Sequence, residues 1–175
     1  MNSADRRTEI VHDLMHIQQK RMMAYEKAIK YCSPRDASVC ELLRGMVAQS
    51  RQCITELRCH TAAEQGEPAD RSESKGDIYR EWPEINYFSP GDTTSDIVHC
   101  CSYIEKTITQ AYKRALEKDE LFDNELKQLI YHQMLITQGS FESIYAQMGR
   151  PSAPSITGEE RMPCGFFRQG VMAAV

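Results

Sequence analysis

Apolar side chains recur at alternating intervals of four and three along four stretches of the chain, the pattern of helices that bury one stripe and wet the other. Over residues 7–32 the stripe is Ile10, Leu14, Ile17, Ala24, Ala28 and Cys32, and Ser33-Pro34 stops it. Over 36–64 it is Val39, Leu43, Met46, Ser50, Cys53, Leu57 and His60, so small and polar residues stand where a plain core would use leucine. A third helix opens near Asp92 or Ser95 and carries Ile97, Cys101, Ile104, Ile108, Ala111 and Ala115. The fourth starts at Asp123 or Asn124 and runs to Met148 before Gly149-Arg150-Pro151. Its stripe turns polar halfway: Leu126, Leu129 and Ile130 give way to Gln133, Thr137 and Ser140, and Ile144 and Met148 follow.

Between the second and third helices lie roughly 30 residues, against the roughly 2 to 8 that join antiparallel neighbours in bundles. That length suits a crossover, which lets the second and third helices run parallel. Ile78, Tyr79, Trp82, Tyr87 and Phe88 would pin it to the bundle, with a short helix broken near Pro83. The chain therefore divides into a helical domain over 1–149 and a tail over 150–175, rich in Pro, Gly and Ser, whose Phe166, Phe167, Val171 and Met172 would dock on the bundle or on a neighbouring chain.

Charge and composition narrow the partners. Twenty-five acidic residues against 21 basic ones leave a net charge of -4 with no basic block, which argues against nucleic acid and anionic membranes. No apolar run is long enough to cross a bilayer and the first residues lack a secretory core, so a cytoplasmic location is expected. Seven cysteines without an export signal read as reduced thiols, most of them small buried hydrophobes.

Several segments, "YEKAI" (25–29), "SRQ" with "EL" (50–57), "GEP" (66–68), "IYREW" (78–82), "GD" (91–92), "AYKRAL" (111–116) and "LKQLIYHQ" (126–133), resemble in order and spacing an uncharacterised bacterial four-helix-bundle family, a domain of unknown function within the ferritin-like superfamily. The resemblance covers roughly residues 8–149 and implies the fold: all-α, a ferritin-like four-helix bundle with the long connection between helices 2 and 3. Dinuclear iron chemistry in that superfamily takes a Glu from each of two helices and Glu-x-x-His from each of the other two. On this chain the matching positions fall on Gln18, on Ser50 and Cys53, and on Gln138 and Phe141, leaving Glu105 as the one carboxylate. No Glu-x-x-His occurs anywhere, and one carboxylate cannot grip two irons.

What fills the axis is then expected to be a buried polar layer of Gln18, Tyr25, Ser50, Glu105, Tyr112 and Gln133, a metal site replaced by hydrogen bonds. The alternative is that several of these face water. A mononuclear iron or zinc site from Glu105, Glu56, His60 and Cys53 stands as a second alternative. "HDLMH" (12–16) imitates a zincin motif, but both histidines fall off the apolar stripe and read as surface residues. "HCC" (99–101) puts Cys101 on the stripe with no basic cluster to activate it. No catalytic constellation is complete, so the expectation is a non-enzymatic bundle without cofactor or metal. It would work by association with a second copy, a dimer favoured, or with another protein, through an apolar patch of Met22, Met23 and Tyr31 or of the tail aromatics.

Overall fold

The alternating stripes fold as helices whose apolar sides meet in one core. The structure, a computed structural model, describes residues 3–32, 37–65, 76–80 and 88–148. Helix α1 spans Ser3–Tyr31, α2 Ala37–Gln65, α3 Asp77–Arg80, α4 Thr94–Leu116 and α5 Asn124–Met148, with a 3-10 turn at Asp119–Leu121. Among the described residues there is no strand; the protein is all-α. Trp82, Tyr87 and the 150–175 tail lie outside the described residues.

Each long helix contributes its stripe to the core: Leu14 and Ile17 from α1, Leu43 and Leu57 from α2, Ile104 and Ile108 from α4, Leu126 and Ile130 from α5 are all buried. Helices α1 and α2, joined through 32–36, pack as one pair, and α4 and α5, joined through 117–123, as another. Connections this short between long packed helices make each pair antiparallel. Across the pairs, Gln18 of α1 meets Tyr112 of α4 while Tyr25 meets Glu105, again an antiparallel register. With α1 antiparallel to both α2 and α4, α2 and α4 run in the same direction. Gln49 and Glu56 of α2 meet Ser140 and Gln133 of α5 in the same antiparallel sense.

The third stripe is capped between the two expected positions, one residue after Asp92 and two before Ser95. Thr93 is the N-cap of α4: its hydroxyl accepts the Asp96 N–H at 3.2 Å, and the Asp96 carboxylate accepts the Thr93 N–H at 2.9 Å, a reciprocal capping box. Those bonds from Thr93 hold the Asp96 carboxyl below its usual range. The chain reaches this cap through a turn at Ser89-Pro90-Gly91-Asp92, where Gly91 sits at φ 99, a conformation only glycine adopts without strain.

Asp13, in the middle of the zincin-like "HDLMH", holds α3 against α1. Its buried carboxylate accepts three backbone N–H groups, from Gly76 at 2.9 Å, Ile78 at 3.1 Å and Tyr79 at 3.0 Å. These are the otherwise unpaired donors at the start of a helix, where negative charge is also favoured by the backbone dipoles. Burial pushes the Asp13 carboxyl up, and the three N–H donors only partly offset this. The flanking histidines are half-buried, His16 packing edge-on to the Tyr79 ring at 5.7 Å. Gly76 has no room for a side chain: a Cβ there would lie 2.5 Å from Asp13 Oδ2 and 2.6 Å from Glu9 Cγ. Gly76→Ala is expected to cost about 1–3 kcal/mol, because Asp13 is anchored by its three donors and cannot yield. Thermal unfolding would show the loss, and amide exchange would localise it to α3; unchanged exchange at Ile78 and Tyr79 would contradict it.

Candidate functional site: a buried polar seam

The stripe of α1 has a member that apolar patterning passes over. Between Ile17 and Ala24 the four–three interval lands on Arg21, and the structure buries that side chain completely. Its guanidinium forks onto Glu105 of α4, Nε donating to Oε1 at 2.8 Å and Nη2 to Oε2 at 3.0 Å. Nη1 donates to Ser50 Oγ at 3.1 Å, and Nη2 also lies 3.5 Å from Gln49 Oε1. The Tyr25 hydroxyl donates to Glu105 Oε1 as well, and the Arg21 carbon Cζ sits 5.4 Å from the centre of the Tyr25 ring. Both charges are fully removed from water. Burial opposes the charge on Arg21, but the adjacent Glu105 carboxylate outweighs it and keeps the guanidinium above its ordinary pKa.

A second group lies further along the same axis. Gln18 Nε2 donates to the Tyr112 hydroxyl at 2.9 Å, which donates in turn to Gln133 Oε1 at 2.9 Å. Gln133 Nε2 then donates to Glu56 Oε2 at 2.8 Å and to the Cys53 carbonyl at 3.2 Å. This chain of donors crosses from α1 through α4 and α5 to α2 and ends near the surface at Glu56, which also accepts from Gln52 at 2.9 Å. Gln18 Oε1 is buried without a hydrogen-bond partner among the described residues. Burial raises the Tyr112 phenol, aided by nearby Cys53, and burial together with the Glu105 carboxylate raises that of Tyr25.

All six residues read from the sequence as a polar layer, Gln18, Tyr25, Ser50, Glu105, Tyr112 and Gln133, are fully buried. The structure brings them into two groups, one around the Arg21–Glu105 fork and one around the Tyr112 hydroxyl. On α5 the inward positions are Gln133, Thr137 and Ser140; Gln138 and Phe141, one residue off in register, are half-buried.

The four residues weighed as an alternative metal set have other partners. Both Glu105 oxygens are engaged by Arg21, and the Glu56 carboxylate by Gln133 and Gln52. His60 leaves the axis and points toward the cap of α5, Nε2 lying 3.6 Å from Asp123 Oδ1. Cys53 is buried and its thiol is pushed up to about 11, chiefly by desolvation, which disfavours the thiolate. Among the described residues, no three His, Cys, Asp or Glu side chains come together as a metal-binding group. A fixed guanidinium beside the single carboxylate at the axis also repels a cation. The donor set does not fit a dinuclear metal centre.

None of the six described cysteines is in a disulfide; Cys40, Cys53, Cys100 and Cys101 are buried, Cys32 is half-buried and Cys59 is exposed. Met23 is 57% exposed, whereas Met22 and Tyr31 pack partly against the core, which removes them from the expected apolar patch. Tyr131 and Leu135, one turn apart on the outer side of α5, are the other large exposed apolar side chains among the described residues. No described helix is long and apolar enough to cross a membrane. No family model, curated protein or solved structure matches this chain.

Proposed function

We propose that the chain is a four-helix bundle of ferritin-like topology whose axis carries an ion pair and hydrogen bonds in place of a dinuclear metal centre, and which acts without catalysis, by association with itself or with another protein. The parallel sense of α2 and α4 supports the topology, because it requires the connection through α3 to return along the length of the bundle; Ile78 and Phe88 within that connection are buried. The observation that carries the reading is the Arg21–Glu105 fork. Where the ferritin-like plan places cation-binding carboxylates, this chain has one carboxylate and supplies its own cation. A satisfied ion pair fixes register between α1, α2 and α4 but offers no open coordination position and no titrating nucleophile.

Association is supported by the exposed Tyr131 and Leu135 on α5 and Met23 on α1, which a monomer leaves in water. A second copy is the first partner considered, as a dimer, since closed two-fold assemblies are the commonest. The test combines metal analysis of protein purified without an affinity tag with sedimentation velocity over a wide concentration range. Expected are substoichiometric metal, no stabilisation by added Fe(II), and reversible association weakened by Leu135→Glu at unchanged thermal stability. Stoichiometric iron or zinc that is lost in Glu105→Ala would refute the metal-free axis. A monomer at every concentration that also recovers no partner from its native extract would refute association.

A further inference from the structure

Where α2 and α5 pass each other near the start of α2, the surface opens into a groove of about 700 Å³. Leu42, Met46 and Ile136 supply apolar surface between the polar Ser38, Glu41 and Ser143, and Gly45 of α2 and Gly139 of α5 also line it. At both glycines an added Cβ would meet nothing within 4 Å, so the groove is open to a ring or a second backbone. At its base the Ser140 hydroxyl donates to Gln49 Oε1 at 2.7 Å, the same oxygen that faces Arg21, so the groove floor is the outer edge of the polar seam.

We infer that residues 165–175 of this chain occupy the groove on their own molecule. The groove lies on the second half of α5, over residues 136–143, and the chain leaves that helix at Met148, a short way beyond the groove. Residues 149–164, with three prolines, span up to roughly 50 Å when extended. The groove extends along α2 for roughly 17 Å, so the connection reaches every part of it. The segment that follows is apolar: Phe166, Phe167, Val171, Met172 and Val175. Burying such rings removes apolar surface from water, and tethering supplies an effective concentration on the order of millimolar, which favours the segment's own molecule over a neighbour. The groove is distinct from the exposed Tyr131–Leu135 surface, so docking in it neither requires nor prevents the association proposed above.

The test uses the full chain with the photoreactive p-benzoylphenylalanine in place of Phe167, as an equal mixture of isotopically light and heavy protein. Irradiation and peptide mapping are expected to give cross-links to residues 38–49 and 136–143, each within a single isotopic species. Gly139→Trp fills the groove from a position that has no neighbour to displace, and is expected to lower the yield of those cross-links about tenfold with helix content unchanged. Cross-links joining light to heavy chains would mean that a second copy fills the groove and would overturn the proposal. So would cross-links elsewhere on the bundle, or a yield indifferent to Gly139→Trp. If Gly139→Trp loses helix content, Gly45→Trp on the facing helix carries the same expectation.

Discussion

Glu105→Ala is expected to lower the free energy of unfolding by about 3–5 kcal/mol, the cost of leaving a buried charge without its partner. Arg21 has no exposed surface, and Glu105 takes two of its donors. Once the carboxylate is gone, the guanidinium keeps only Ser50 and the longer contact with Gln49, both neutral acceptors. Arginine cannot escape by losing its proton, so the helices must part to admit water. The Tyr25 hydroxyl loses its acceptor in the same substitution. Against a total stability of about 5–15 kcal/mol for a domain of this kind, such a loss leaves a protein close to unfolding. The companion variant separates the charge from the space it fills. Arg21→Met with Glu105→Leu removes both charges while keeping apolar volume, and is expected to recover most of the loss, as buried pairs replaced by hydrophobic residues usually do. Urea unfolding of the two variants and the parent decides it. A loss in Glu105→Ala of about 0.5 kcal/mol, typical of a surface position, would mean that Arg21 reaches water and that the fork is not the keystone of the axis.

Why Arg21 is hard to see in the sequence follows from the same energetics. The four–three interval through Ile10, Leu14 and Ile17 points straight at it, but arginine is almost never fully buried without a partner, so apolar patterning skips from Ile17 to Ala24. The missing signal was electrostatic. Once Glu105 is placed at an axis with no other charge, its ionised form demands a cation, and Arg21 is the basic residue that the register offers on the facing stripe. Asp13 was hidden for the opposite reason: its neighbours suggested a metal motif, while its true partners are backbone N–H groups more than sixty residues away. No local pattern encodes such a contact. The helices were legible, with their limits to within a few residues, from the apolar period, and the polar members Ser50 and Gln133 because they break it, while Gln18 rested on the register that the family resemblance implies. The partition into two hydrogen-bonded groups was not, since it depends on side-chain reach across three helix interfaces.

The second large effect lies in alkali. Tyr25 and Tyr112 are buried as neutral phenols whose pKa values are raised above the ordinary value of about 10. A group whose folded pKa is raised contributes stability that is fully present below its unfolded pKa and is lost as pH rises through the interval up to the folded value. Above about pH 10 the unfolded chain therefore releases two protons that the native protein retains, and each tyrosine lowers stability by about 1.4 kcal/mol per pH unit. Cys53 acts in the same direction over a lower window, from the unfolded thiol value of 9.0 to about 11 in the folded protein. Stability is thus expected to decline gently from about pH 9 and then, beyond about pH 10, by about 3 kcal/mol per pH unit or more. Urea midpoints taken at successive pH values measure the slope. In Tyr112→Phe, which starts lower because Gln18 and Gln133 lose a partner, the slope above about pH 10 is expected to fall by one tyrosine's share, while the Cys53 contribution persists. The protein's own spectrum gives an independent reading: the tyrosinate absorbance of Tyr25 and Tyr112 should be missing from the native protein and appear with the alkaline unfolding transition. Stability that stays level across this range, or tyrosines that all ionise together in the folded protein, would mean that water already reaches the seam.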